Sequence, residues 1–422
     1  MHGLMRSVPH AVRILAATLL VSSTVPAADW REFRGNGAQG VAAGAKLPTT
    51  WSADKNVVWK TPLEGKGWST PVLLEGKLYL TAAVGETEES SSAQTLRALS
   101  LDAASGKVLW QTDLFQQPAG EKIHSKNSHA SPSPITDGQH LWVHFGTHGT
   151  ACLALDGTVV WKTNEFKYAP VHGNGGSPVL VGDRLIFSCD GSDTQMVVAV
   201  DAKSGKTLWK TPRSVQPKKG FAFCTPLVIE VGGKTQVVAP GPDAVGAYDP
   251  ADGREIWKAR YPGGYSVVPR PVFGQGLVFV CTGYDSPRLI AIRPDGTGDV
   301  TESHIAWELK KGAPLNPSPL LVGSELYLIS DNGIATCLEA ATGKQHWQER
   351  IGGNFSSSPV FANGLVYLQS EAGTGIVFKA GTTFEEVARN ETGERTLASY
   401  AIDEAAGDLF LRTETGLLRI GE

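Results

Sequence analysis

The stretch Asp201-Ala202-Lys203-Ser204-Gly205-Lys206-Thr207-Leu208-Trp209 decides the fold, because the chain repeats it. Tryptophans stand at Trp59, Trp110, Trp161, Trp209, Trp257, Trp307 and Trp347, with successive gaps of 51, 51, 48, 48, 50 and 40 residues. Glycine precedes five of them by four positions, at Gly106, Gly157, Gly205, Gly253 and Gly343. A period in this range marks a radial array of small sheets. The spacing suits a glycine that makes a tight turn and a tryptophan that caps the sheet.

Working outward, each repeat reads as four strands. The first opens after a Ser/Thr-Pro pair: Thr70-Pro71, Ser133-Pro134, Ser177-Pro178, Thr225-Pro226, Ser318-Pro319 and Ser358-Pro359, with Arg270-Pro271 as the variant. Proline fits there because the first residue of a strand can spare its N–H. A turn such as Val181-Gly182-Asp183 leads to an apolar second strand, a pattern like Val198-Ala199-Val200-Asp201 forms the third, and the tryptophan sits on the fourth. An eighth set starts near Ser399 and supplies three strands before the chain ends. Val57-Val58-Trp59-Lys60 is a fourth strand with no set of its own. Pairing the two closes the ring and hides both open edges. The prediction is an all-β, eight-bladed propeller closed by its N-terminal strand.

Three segments follow. Residues 1–27 read as a signal peptide: Arg6 and Arg13, an apolar run from Ile14 to Val25, and small Ala27 before the expected cleavage. Residues 28–56 are an N-terminal extension that Trp30, Phe33 and Trp51 are expected to pin onto the outside of the barrel. Residues 57–422 form the propeller. Residues 85–94, rich in Glu and Ser, predict a solvated loop. No cysteine follows the apolar run, so an exported, soluble, unanchored monomer is expected, periplasmic or extracellular. Without the leader the chain carries 36 basic and 42 acidic residues. That balance shows no nucleic-acid footprint, and no membrane insertion is expected. The five cysteines (Cys152, Cys189, Cys224, Cys281 and Cys337) show no metal-binding spacing; their odd number requires at least one free thiol or an intermolecular bond, and Cys189 and Cys281, in apolar strand runs, read as core packing.

The repeats Asp102–Trp110, Asp201–Trp209, Asp249–Trp257 and Glu339–Trp347 resemble those of the pyrroloquinoline-quinone (PQQ) propellers. More closely, Lys126-Asn127-Ser128-His129-Ala130-Ser131-Pro132, Gly173-Asn174-Gly175-Gly176-Ser177-Pro178 and Tyr265-Ser266-Val267-Val268-Pro269-Arg270-Pro271 resemble the exported, planctomycete-type PQQ-like proteins. The likeness extends distantly to the barrel-assembly propeller lipoprotein of the bacterial outer membrane. The family implies a tryptophan stacked on a glycine-bearing peptide of the neighbouring blade. Its quinoprotein dehydrogenases imply adjacent cysteines over the quinone and a calcium held by Glu and Asn. This chain has no adjacent cysteines.

In a four-stranded blade the turns between strands two and three share a face with the links to the next blade. The links bring His124, Lys126, Asn127, His129, His172, Asn174, Lys218, Lys219, Tyr265, Arg270, Asn316 and Asn354 to one rim. The turns add His148, Asp190, Asp193, Asp243, Tyr284, Asp285 and Asp331. His124, His129, His148 and His172 are the candidates for a metal cluster, although no close-spaced ligand pair supports one and none is assigned. Arg270 replaces the usual Ser/Thr at the start of an innermost strand, where a cation would face the channel and could take an anion; the plainer reading is a salt bridge to a neighbouring blade's aspartate. His124, Asn127, His129, His148, His172, Asn174, Tyr265, Arg270, Asn316 and Asn354 are the candidate rim residues. No nucleophile elbow or His-Glu-x-x-His pattern is present.

These readings favour an exported, non-catalytic scaffold that binds a protein or small ligand through one rim of the channel. No catalytic residue and no cofactor is assigned. The alternative is a PQQ- and calcium-dependent periplasmic oxidoreductase acting on an alcohol or sugar.

Overall fold

A computed structural model describes residues 29–85, 92–121 and 123–422. The expected leader and most of the Glu/Ser-rich loop lie outside these residues. Eight sheets, each with a four-stranded antiparallel body, follow one another around a ring. Blade 1 runs Val72–Leu74, Lys77–Gly85, Gln94–Asp102 and Val108–Gln117. Blades 2 to 7 begin at Ile135–Thr136, Val179–Val181, Leu227–Val231, Val272–Gly274, Leu320–Val322 and Val360–Ala362. Blade 8 combines Ala401–Asp403, Asp408–Arg412 and Gly416–Ile420 with Val57–Pro62 as its outer strand. Trp59 lies opposite Arg419 and Lys60 opposite Leu418 in that closing pair.

The repeat now has a mechanical meaning. Trp59, Trp110, Trp161, Trp209 and Trp307 each lie against the turn glycine of the following blade, at Gly106, Gly157, Gly205, Gly253 and Gly343. The indole N–H of each donates to a carbonyl beside that turn, from Trp59 to Ala103 at 3.1 Å through Trp161 to Ala202 at 2.8 Å. Thr61, Thr112 and Thr211, two residues after their tryptophans, donate to the carbonyls of Gly106, Gly157 and Gly253. Trp257 departs from this: it is fully buried and donates to Gln236 of its own blade. The repeat that follows, stretched between Arg293 and Trp307, instead adds Gly298–Asp299 as a parallel strand on the outer edge of blade 4.

A second ring lines the channel. Before five of the innermost strands, a backbone N–H of a Ser or Thr donates to the hydroxyl of the equivalent residue one blade on. Thr70 donates to Ser133, Ser133 to Ser177, Ser177 to Thr225, Ser318 to Ser358 and Ser358 to Ser399, at 2.8 to 3.0 Å. Arg270 interrupts this belt, although its own N–H still donates to Ser318. All five cysteines are buried and free, Cys189 and Cys281 on the apolar strands where core packing is expected of them.

The extension does not pack on the outside. Trp30 bridges Leu73 of the innermost strand of blade 1, and Thr136 in blade 2 donates to the Arg31 carbonyl. Val41–Ala42 pairs parallel with Val360–Ala362, the innermost strand of blade 7. The segment therefore lies across the far end of the channel. It then leaves between blades 7 and 8, where Trp51 meets Tyr400 edge-on at 6.4 Å and its backbone N–H donates to the Asn390 side-chain oxygen. The physical reason is burial: docking the extension takes the large apolar faces of Trp30 and Trp51 (1% and 3% exposed) out of water, while Phe33 lines the channel that the innermost strands leave open.

Candidate functional site

With the far end covered, the channel becomes a dead-end cavity of about 240 Å³ entered from the rim predicted above. Phe33 of the extension is exposed to its interior, and belt hydroxyls of Thr70, Ser133, Ser177, Thr225, Ser318, Ser358 and Ser399 form its wall. His124, Lys126, Asn127, His172, Tyr265, Tyr284 and Asn316 stand around it, all called from the sequence.

An arc of rings forms one side of the mouth. His124 and His172 are 5.4 Å apart, His172 and Phe221 5.3 Å, Phe221 and Tyr265 5.3 Å, and Tyr265 and Tyr284 6.4 Å. Outside the arc, Lys219 lies 4.0 Å over the Tyr265 ring and pairs with Asp285 at 2.6 Å. Burial, with the neighbouring His124, lowers the His172 pKa and favours the neutral imidazole. The Tyr284 phenol is pushed up, chiefly by burial. Ser266, on the same wall, holds φ 52°, a strained conformation for a residue with a side chain.

Lys126 reaches over the mouth to Glu371, in the turn between the second and third strands of blade 7, at 2.7 Å. Ser356 donates to the same carboxylate oxygen at 2.6 Å. Asn127 is tied back to the His172 carbonyl at 2.8 Å and to Ser131, which fixes the link that carries His124 and Lys126.

Other predicted residues are used differently. Asn174 is buried and accepts from Thr147 N–H and the Tyr168 hydroxyl, so it braces two loops. Asn354 is exposed and its carbonyl accepts from Glu371 N–H. Asp331 accepts from Leu315 N–H and from Asn316, Asp243 from Gly263 N–H, and Asp193 from Ala169 N–H; Asp190 pairs with buried Arg213 at 2.6 Å. Arg270 offers no free cation to the channel. It is 1% exposed and donates to Pro226 and Phe33 carbonyls and to Glu32 at 2.8 Å. Its acid comes from the extension and not from a neighbouring blade, because Glu32 lies under the gap the arginine makes in the belt.

The four histidines separate into two pairs. His124 and His172 stay at the mouth, whereas His129 and His148 are buried side by side, ring centroids 5.3 Å apart, with His148 lining a cleft between blades 1 and 2. Glu121 joins them, 3.1 Å from His148. Burial, then His129, then Lys167 push the His148 pKa down to about 4. Phe33, Phe221, Glu121 and Glu371 were not called from the sequence. Three sit on links or turns of ordinary composition, and Phe33 belongs to a segment expected elsewhere.

A family model described as outer membrane protein assembly factor BamB matches residues 35–192, 86–222, 193–318 and 299–399. The solved BamB of Moraxella catarrhalis shares the fold at TM-score 0.60 and 13% identity, covering 86% of this chain and 96% of that one. A europium-containing methanol dehydrogenase does so at TM-score 0.65 and 11% identity, over 93% and 91%. In sequence, quinohemoprotein alcohol dehydrogenase ADH IIB of Pseudomonas putida is 26% identical over 242 residues, 55% of this chain but only 30% of that enzyme. Quinoprotein alcohol dehydrogenase PedH of Pseudomonas putida is 26% identical over 54% of this chain and 37% of its own length.

Proposed function

This chain belongs to the outer membrane protein assembly factor BamB family of repeat propellers, and on that premise we propose that it is an exported, non-catalytic binding module. Its ligand or partner segment enters the central channel from one rim. The observation that carries this reading is the arc of rings from His124 to Tyr284, bordering a closed-ended cavity walled by hydroxyls. Aromatic faces take up apolar surface, while the histidines, Asn316 and the belt offer hydrogen bonds; together they suit a small polar ligand or a protruding loop. The basic, apolar leader in the sequence supports export. Among the described residues no helix is long and apolar enough to cross a membrane.

The quinone of the dehydrogenase relatives fits this cavity poorly. Calcium takes six to eight oxygen ligands, carboxylates prominent among them. Among the described residues no Asp or Glu lines the cavity, and Glu371 at its edge is engaged by Lys126 and Ser356. The five cysteines are all buried and no two are adjacent in the chain, so they offer no adjacent pair to lie over a ring.

Titration of the purified protein, followed by tryptophan fluorescence, tests the reading against short oligosaccharides, extended peptides, and PQQ with and without calcium. Saturable binding of a sugar or peptide that His172→Ala and Tyr265→Ala abolish, with far-UV circular dichroism unchanged, supports it. A calcium-dependent PQQ complex that reduces a dye with an alcohol or sugar would replace it with the dehydrogenase reading. Rim substitutions that alter stability alone would sink the site.

A further inference from the structure

We propose that Glu121, His129 and His148 form a binding site for a divalent transition metal, of which zinc is the best match, in the cleft between blades 1 and 2. The three residues come from separate pieces of chain: Glu121 and His129 from the link between the blades, and His148 from the short helical turn Gly146–His148 inside blade 2. One ligand atom from each lies within 4.8 Å of the others. Tetrahedral zinc with bonds of about 2.0–2.1 Å holds its ligands roughly 3.3 Å apart. The His148 and Glu121 atoms stand at 3.1 Å already, so only modest movement around His129 closes the set.

The donor chemistry points to the metal class. Two imidazoles and one carboxylate suit zinc and its neighbours, whereas an all-oxygen shell would suit calcium or magnesium. Both histidines are well buried, at 1% and 7% exposure, and Glu121 is half-buried and faces the cleft. Three protein ligands leave a fourth position open to water or to a ligand in the cleft, which Gln116, Thr163 and Asn164 also line. Lys167 lines the same cleft, and its ammonium donates to the Thr147 carbonyl at 2.9 Å, beside His148. A cation there opposes a second one, so Lys167 lowers the affinity without removing a ligand. This site is separate from the channel mouth and does not depend on the function proposed for it.

The test uses the full chain stripped with chelator and titrated with zinc against a chromophoric competitor, and with cobalt(II) read by visible absorption. The expected result is one zinc per chain and tetrahedral-type cobalt bands. His148→Gln and Glu121→Gln should weaken zinc by on the order of 100-fold or more, since loss of a ligand exceeds the effect of outer-shell changes. Glu121 is half-buried, so its variant remains informative where a buried histidine variant does not fold. Lys167→Met should tighten binding. The paired control His124→Gln with His172→Gln should leave it unchanged. Absence of saturable binding, or binding that follows His124 and His172 or survives both ligand variants, overturns the proposal.

Discussion

Arg270 and Glu32 form an ion pair at 2.8 Å that fastens the N-terminal extension to the innermost strand of blade 5. The arginine stands where other blades carry a belt hydroxyl. Arg34 lies near it and donates to the Pro319 and Gln39 carbonyls at 2.8 and 2.9 Å. Two guanidiniums are thus held mainly by carbonyls, with Glu32 as the carboxylate bonded to Arg270. Glu32→Gln should cost about 1–3 kcal/mol, below the value for a wholly buried pair because Glu32 is 21% exposed. Urea unfolding measures it; an unchanged midpoint would mean that the extension is held by its tryptophans alone.

Gly205 holds φ 72°, and a β-carbon built on it would stand 2.5 Å from the Trp161 ring. Gly205→Ala therefore meets both backbone strain and a clash with a ring fixed by its own hydrogen bond. A loss of roughly 2–4 kcal/mol is expected. The same substitution at Gly182, where nothing lies within 4 Å of the added carbon, isolates the backbone share and should cost about 1 kcal/mol.

Ser177 accepts from Ser133 N–H at 2.8 Å in the channel belt. Ser177→Ala leaves that buried N–H unpaired, with an expected cost of about 1–3 kcal/mol. Ser177→Thr keeps the hydroxyl in the form already used at Thr70 and Thr225 and should be close to neutral. Equal losses in the two variants, by chemical denaturation, would show that packing and not the hydrogen bond matters there.

His144 is buried against Phe187 and shares a hydrogen bond with Thr150 at 2.8 Å. Burial pushes its pKa down to about 3. Between that value and the ordinary 6.5, the unfolded chain binds the proton and the folded chain does not. Stability should therefore be full above pH 6.5 and fall as pH drops through this window, by up to about 1.4 kcal/mol per pH unit for this group. His148 contributes in the same direction. His144→Asn should flatten the slope of stability against pH; a slope identical to the parent would show that other groups set the acid limit.

Lys126 and Glu371 span the mouth, yet both remain partly exposed, at 34% and 15%. Lys126→Met should change stability by less than about 1 kcal/mol. It should nevertheless alter how quickly ligands enter the channel, which stopped-flow fluorescence with any ligand found by titration would measure. Unchanged association would remove the pair from the entry path.

The repeat was legible because its physics is local. A glycine turn and a tryptophan four residues later have to recur wherever a blade meets its neighbour, so Trp161 and Gly205 announce the contact they make. The rim was legible by the same logic, since the direction of four strands fixes which turns share a face; His124, Asn127, His172, Tyr265 and Asn316 do converge on the cavity. Arg270 stood out as a departure, but its partner did not.

By itself the sequence determined the number of blades, the strand that closes the ring and the face that carries the mouth. Each follows from periodicity and from the need to pair every strand edge. Only the tertiary structure decided that the extension covers the far end of the channel, that Glu32 neutralises Arg270, and that the histidines divide into a mouth pair and a buried pair joined by Glu121. Those outcomes depend on distances between residues far apart in the chain, set by the width of an eight-bladed channel and the burial of Trp30 and Trp51, and no local pattern records them.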